Sequence, residues 1–228
     1  MAGSVSNIIV GAAQVFISKN DSTVSGGQPQ NMPVFGTTAS AATYLGTGSG
    51  ATDWRDVGFT SEGFEISYEP TYGEVEVDQL LDSARIFKTQ LRVMLRTSMN
   101  EGTLENVRVA FGQSNATQLN SVYSSTSTRA SASGYGAPTT GSNVLGLAAG
   151  ALGEKPVERS LIAVGPGPAV AGSNTERVYL ARRVLSMETV SHALRRNEST
   201  VYPVTFRCLP ADGYANAEYG EILDRGYS

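Results

Sequence analysis

Cysteine, histidine and tryptophan each occur once in this chain of 228 residues, as Cys208, His192 and Trp54. A single thiol excludes an internal disulfide framework. One Cys with one His leaves no Cys/His zinc cluster. Charge is also scarce: charged residues are 17% of the sequence, against roughly 25% in an average soluble domain. The formal net charge is −4, which argues against a dedicated nucleic-acid binder with its basic stripe. No apolar run approaches the roughly 20 residues a membrane span needs. Met1 to Val10 has neither a basic n-region nor a long apolar core, so no signal peptide and no membrane insertion are expected. What is in excess is glycine, 25 residues, above the usual share of ~7%. With apolar residues at 40%, wholesale disorder is excluded despite the Ser, Thr and Gly bias.

Period-two patterning dominates what remains. Phe64, Ile66 and Tyr68 alternate with Glu65, Ser67 and Glu69. Pro70-Thr71-Tyr72-Gly73 follows, then Glu74-Val75-Glu76-Val77-Asp78. This predicts two half-buried strands with a hairpin turn over 70–73. A third strand is expected over about 86–97, with Phe87, Thr89, Leu91, Val93 and Leu95 on one face and Lys88, Gln90, Arg92 and Arg96 on the other. Further strands are expected near 12–17, 159–164, 176–188 and 200–209. One helix is predicted over 101–111, capped by Asn100 and ended by Gly112, packing through Leu104, Val107, Ala110 and Phe111.

The expected fold is therefore mainly β: a β-sandwich or barrel with one flanking α-helix and extended arms or loops. Residues 1–52 read as an N-terminal arm with loops and a short strand. Residues 53–210 read as the body, with 113–156 a long Ser/Thr/Gly-rich loop or insertion, and 211–228 as a C-terminal arm.

Charge is segregated along the chain. Nine acids and one base, Arg55, lie between Asp53 and Asp82, whereas Arg85 to Arg96 holds four bases and no acid. Like charges across neighbouring strands oppose pairing. Either the bases lie beside the acids on a solvated sheet face, or the acids face a neighbouring copy or a conduit that repels phosphate. Glu65, Glu69, Glu74, Glu76, Asp78, Lys88, Arg92 and Arg96 are the residues in question.

Catalytic constellations do not emerge. His192 sits among Ser191, Arg195 and Arg196 with no marked nucleophile. Gly46-Thr47-Gly48-Ser49-Gly50-Ala51 fits a loose dinucleotide pattern, but no helix pattern opens after it. Glu74 and Glu76 imply no apolar pocket for general-acid work. Cys208 reads as a small core residue. No catalytic, cofactor or metal residue is expected, and no enzyme.

Four stretches together resemble the major tail tube proteins of long-tailed (siphophage-type) bacteriophages. They are Asp53-Trp54-Arg55-Asp56-Val57-Gly58-Phe59-Thr60-Ser61-Glu62-Gly63-Phe64, the acidic hairpin running into Val77-Asp78-Gln79, Asn100-Glu101-Gly102-Thr103-Leu104-Glu105-Asn106 with a helix ending in Ala110-Phe111-Gly112, and the closing pair Val178–Ser186 and Tyr202–Pro210. The likeness covers 53–112 and 159–209. It implies a sandwich or barrel flanked by a helix, in copies forming usually hexameric rings that stack into a hollow tube. DNA passes through such a tube into the host. It also implies a place in the virion tail after synthesis in the host cytoplasm. The implied partners are other copies of the chain, the tape measure protein, the tail terminator, and baseplate or initiator proteins, with no cofactor. On that reading the listed acids and bases line the channel or make ring contacts, and Leu104, Val107 and Phe111 pack the helix. Two other readings stand beside it. One is a terminator, neck or decoration protein of a virion. The other is a carbohydrate-binding β-sandwich module, with Tyr123 and Tyr135 as the aromatics to examine.

Overall fold

A computed structural model describes residues 8–22, 32–47, 53–79, 82–114, 145, 147, 152–168, 174–194 and 196–228. Tyr123, Tyr135 and most of the 113–156 segment lie outside the described residues.

The fold is mainly β with two short helices. Its elements in chain order are β1 (Gln14–Ser18), α1 (Ala41–Thr47), β2 (Trp54–Asp56), β3 (Thr60–Val75), β4 (Arg85–Met99), α2 (Leu104–Ala110), β5 (Arg159–Pro166), β6 (Asn174–Ser186), β7 (Tyr202–Leu209) and β8 (Gly220–Tyr227). The strands form one antiparallel sheet in the order β2-β1-β5-β6-β7-β4-β3, with β8 also on β6. Strands β2 and β3 end this path without pairing to each other, so the sheet is not closed into the barrel the sequence allowed.

Strand β6 carries two partners on one edge. Its other edge is occupied by β5, from Pro166 opposite Glu176 to Arg159 opposite Val184. Strand β8 pairs with Asn174 to Ala181, and β7 takes over from Arg183 to Ser186. Strands β7 and β8 thus lie end to end in one lane, and the chain between them loops out of the sheet and back.

The central strands are apolar on consecutive positions because both of their faces are covered. Val15, Ile17, Leu161, Ala163, Ala181, Val184, Val204, Phe206 and Cys208 point to one face, where Val109 and Ala110 of α2 cover them. Phe16, Ile162, Val164, Val178 and Leu180 point to the other, beneath Ala41 and Leu45 of α1 and Trp54. A helix of two turns is marginal by itself, and each of these gains its stability by burying an apolar edge on the sheet.

Four expectations are corrected. There are two helices, not one: Ala41 and Leu45 form only a two-point stripe, too short to register as a periodic signal. The hairpin turn is not at 70–73, since β3 runs straight through Pro70. Proline lacks an N–H and is tolerated on an edge strand, which β3 is. Helix α2 is capped by the Thr103 side chain accepting from the Asn106 amide, not by Asn100. Its buried residues are Asn106, Val109 and Ala110; Val107 and Phe111 pack half-buried against the core as expected, while Leu104 is exposed. Gly112 does end it, at φ 62.

Both expected arms contribute to the sheet. Strand β1 sits between β2 and β5, and β8 pairs along eight residues of β6.

Candidate functional site

The longest element pair, β3–β4, is also the most exposed. Strand β4 pairs with β7 only from Met94 to Met99. Beyond Met94 the two strands project as a ribbon with no third strand among the described residues. A two-stranded ribbon is at best marginally stable in water, so its bare faces and edges are the natural place for a partner.

The bend into the ribbon is written in Glu62-Gly63. Both residues have left-handed backbone, φ 64 and 76, and they form a bulge between the Ser61 and Phe64 registers. The Glu62 carboxylate accepts a hydrogen bond from Ser98 Oγ at 2.9 Å, and Thr97 Oγ1 donates to the Gly63 carbonyl at 3.3 Å. These contacts hold a backbone conformation that a β-bulge requires.

Register places the predicted charges in cross-strand pairs. Glu65 stands opposite Arg96 and Glu69 opposite Arg92. Arg96 also reaches Glu188 at 3.7 Å, and Ser67 Oγ donates to Glu69 at 2.7 Å. A second irregularity, between Thr71 and Tyr72, shifts the alternation of β4. Lys88 thereby lies opposite Tyr72 and bonds the Tyr68 hydroxyl at 3.1 Å, on the face the sequence assigned to apolar residues. That hydrogen bond raises the pKa of the Lys88 ammonium above its ordinary value. Phe87 moves to the opposite side, facing Gly73. Glu74 lies opposite Ile86 and accepts from Ser83 Oγ. Glu76 and Asp78 are exposed in the connection between the strands. The eight predicted residues therefore share one ribbon, but Glu74, Glu76, Asp78 and Lys88 do not form the acid–base rows that Glu65, Glu69, Arg92 and Arg96 form.

The ribbon's other face is mostly apolar: Ile66, Tyr68, Tyr72 and Ile86 are all exposed there, with Lys88 and Glu74 beside them at the far end. Near its base this face and the β6–β8 pair enclose an open apolar groove of about 270 Å³, lined by Phe64, Ile66, Val93, Tyr179, Tyr219 and Ile222 among others. The rings of Phe64 and Tyr179 lie 5.9 Å apart.

Buried charges were not legible in the sequence. Glu176 is buried on β6 and accepts from Ser40 Oγ at 2.7 Å and the Ala41 amide at 2.8 Å, while Arg225 of β8 lies 2.9 Å away. Arg159 is buried against Asp21 at 3.3 Å, and burial pushes its pKa down to about 10. Glu158 is buried under a two-bond grip from Arg183, at 2.9 Å for each bond. Partners separated by tens to more than a hundred residues leave no local pattern to read.

Burial pushes the Cys208 thiol up to about 12, far from the thiolate range of a nucleophile. His192 is exposed and lies 4.8 Å from the Tyr202 ring. Among the described residues no group of three or more His, Cys, Asp or Glu is placed to hold a metal ion, and no helix is long and apolar enough to cross a membrane. No family model matches the chain, and no curated protein matches its sequence.

Proposed function

We propose that this chain is a structural subunit that associates with copies of itself through the β3–β4 ribbon, forming rings that stack into a tail-tube-like conduit for DNA. The observation that carries the reading is the opposite charge of the ribbon's two edges. Strand β3 holds Glu62, Glu65, Glu69 and Glu74 and no base, and β4 holds Arg85, Lys88, Arg92 and Arg96 and no acid. Among the described residues the outer edge of β3 has no partner strand, and β4 has none but β3 from Arg85 to Val93. Placing β3 of one copy beside β4 of the next sets acid beside base and satisfies both edges. The contact joins two different surfaces, so it repeats and closes a ring when the rotation permits. The acid-rich stretch from Asp53 to Asp82 supports a wall that repels phosphate and leaves a polyanion mobile.

The test is negative-stain microscopy of the purified chain beside light scattering across a concentration series. Tubes of uniform width are expected. A Glu65→Lys/Glu69→Lys variant sets like charges together and is expected to abolish assembly while keeping the melting temperature within a few degrees. A wild-type monomer at every concentration overturns the reading, and rings that never stack redirect it to a terminating cap.

A further inference from the structure

Arginines from three distant parts of the chain meet beside α2, well away from the ribbon. We propose that Arg55 and Arg108, backed by Arg159, form a binding site for a small oxoanion of the phosphate class, where α2 meets the β2-β1-β5 end of the sheet. The inference does not depend on self-association.

The sheet register explains the gathering. Arg55 stands opposite Ile17, and Ile17 opposite Leu161. Cross-strand partners share a face, and Ile17 and Leu161 belong to the cluster that α2 covers. Arg55 is therefore on the face of α2, where its Nη1 donates to Asn106 at 2.6 Å and its Nε meets Glu105 at 3.1 Å. Arg159 opens β5 and reaches the far end of the same helix: its Nη2 donates to the Gln113 carbonyl at 3.1 Å. Arg108 is the basic residue in the last turn of α2.

Two observations carry the inference. The first is a pair of unsatisfied donors. Arg55 Nη2 and Arg108 Nε are both shielded from water and have no hydrogen-bond partner among the described residues. A shielded N–H without an acceptor is costly, and more so on a charged group. Arg159, Arg182 and Arg225 are buried too, but each meets a carboxylate, from Asp21, Glu221 and Glu176 respectively. Arg108 meets none among the described residues.

The second is the balance of charge. Burial is the main cause that lowers the pKa of Arg55 and of Arg159, and repulsion from Arg108 lowers both further. The carboxylates within range are already engaged. Asp21 pairs with Arg159 and Glu105 with Arg55. Asp56 accepts from the Gln14 side chain and the Gly58 amide, and Glu101 from the Phe59 amide. An oxoanion brings acceptor lone pairs and negative charge together, and the planar guanidinium donors suit its oxygens. The Glu105 side chain is 45% exposed and that of Arg55 17%, so the cluster is open to solvent beside Glu105.

Thermal unfolding of the dilute full-length chain tests this, with inorganic phosphate or sodium chloride added at matched ionic strength. Phosphate is expected to raise the melting temperature in a dose-dependent way, as a ligand of the folded state does, and chloride is not. Arg108→Gln relieves the repulsion. It is expected to melt no lower than wild type without phosphate and to lose the phosphate response. Arg207→Gln, on β7 four lanes from β2, is expected to respond as wild type does. Arg108→Lys keeps the charge but loses the Nε donor, and calorimetric titration with phosphate is expected to show at least about tenfold weaker binding. That variant also carries the test if Arg108→Gln fails to fold. A phosphate effect no larger than that of chloride overturns the inference. So does a response that survives in Arg108→Gln, undiminished affinity in Arg108→Lys, or equal loss in Arg207→Gln, which would mean diffuse binding to surface cations.

Discussion

Gly220 opens β8 at φ +152, and a Cβ there would lie 1.9 Å from the Leu180 carbonyl oxygen. No side-chain rotation relieves a clash with backbone. Gly220→Ala is expected to destabilise the fold by about 3 kcal/mol, the upper end of what a forced backbone shift in a packed site costs. Gly213 is the matched control: its φ is +86, but nothing lies within 4 Å. Gly213→Ala should cost only the left-handed backbone strain, about 1–2 kcal/mol. Urea denaturation of the two variants separates collision from conformation, and equal losses would refute the assignment. None of this was readable in the sequence, where Gly220 follows Tyr219 in what reads as an arm. Glycine need at that position comes from Leu180, 40 residues away. Cys208 was legible as a core residue, because it ends an alternating strand beside Phe206.

At the scale of elements, one carboxylate joins three of them. Glu176 on β6 holds the start of α1 through Ser40 and Ala41, and balances Arg225 on β8. Arg225 in turn donates to the Ala39 carbonyl at 2.9 Å. Removing one member of a buried ion pair leaves its partner's charge uncompensated, which costs about 3–5 kcal/mol. Glu176→Ala is expected to lose that much by urea denaturation. Glu176→Gln keeps an acceptor for the α1 amide and is expected to lose less. Equal losses would mean that the charge on Glu176 is irrelevant. Most elements were legible where their period was clean: β4, β5, β6 and β7 fall within a few residues of their expected spans, and α2 within three. The ribbon was misread at Pro70 because proline and glycine together signal a turn, and only an edge position makes such a strand possible. The face of Lys88 was misread because a bulge resets the alternation, and a bulge has no residue signature of its own here.

Across the whole molecule, stability is unevenly distributed. Strands β1, β5 and β6 are covered on both faces by the two apolar clusters. Beyond Met94 the ribbon has no third strand among the described residues. Amide hydrogen exchange follows this contrast. In a dilute monomer, amides of β5 and the middle of β6 are expected to exchange only by global unfolding. Those of 66–75 and 85–92 should exchange orders of magnitude faster, and slow sharply in the assembly proposed above. Uniform protection across the monomer would contradict the ribbon's independence. The mainly β class was legible because alternation is a local property. The order of strands was not, since it depends on pairings such as β1 with β5 that join residues about 145 apart.

Strands β7 and β8 each take their register from β6 rather than from one another. The ten residues that separate them, 210–219, leave the lane and return to it, with Asp212 and Gly213 exposed at a turn. Strand β6 therefore works as a template that aligns two independent segments, much as one rail aligns two carriages. The coupling between them can be lengthened without moving either. A peptide or a small domain spliced between Asp212 and Gly213 would be carried on the outside of the sheet at a fixed address, which makes this turn a ready point for display.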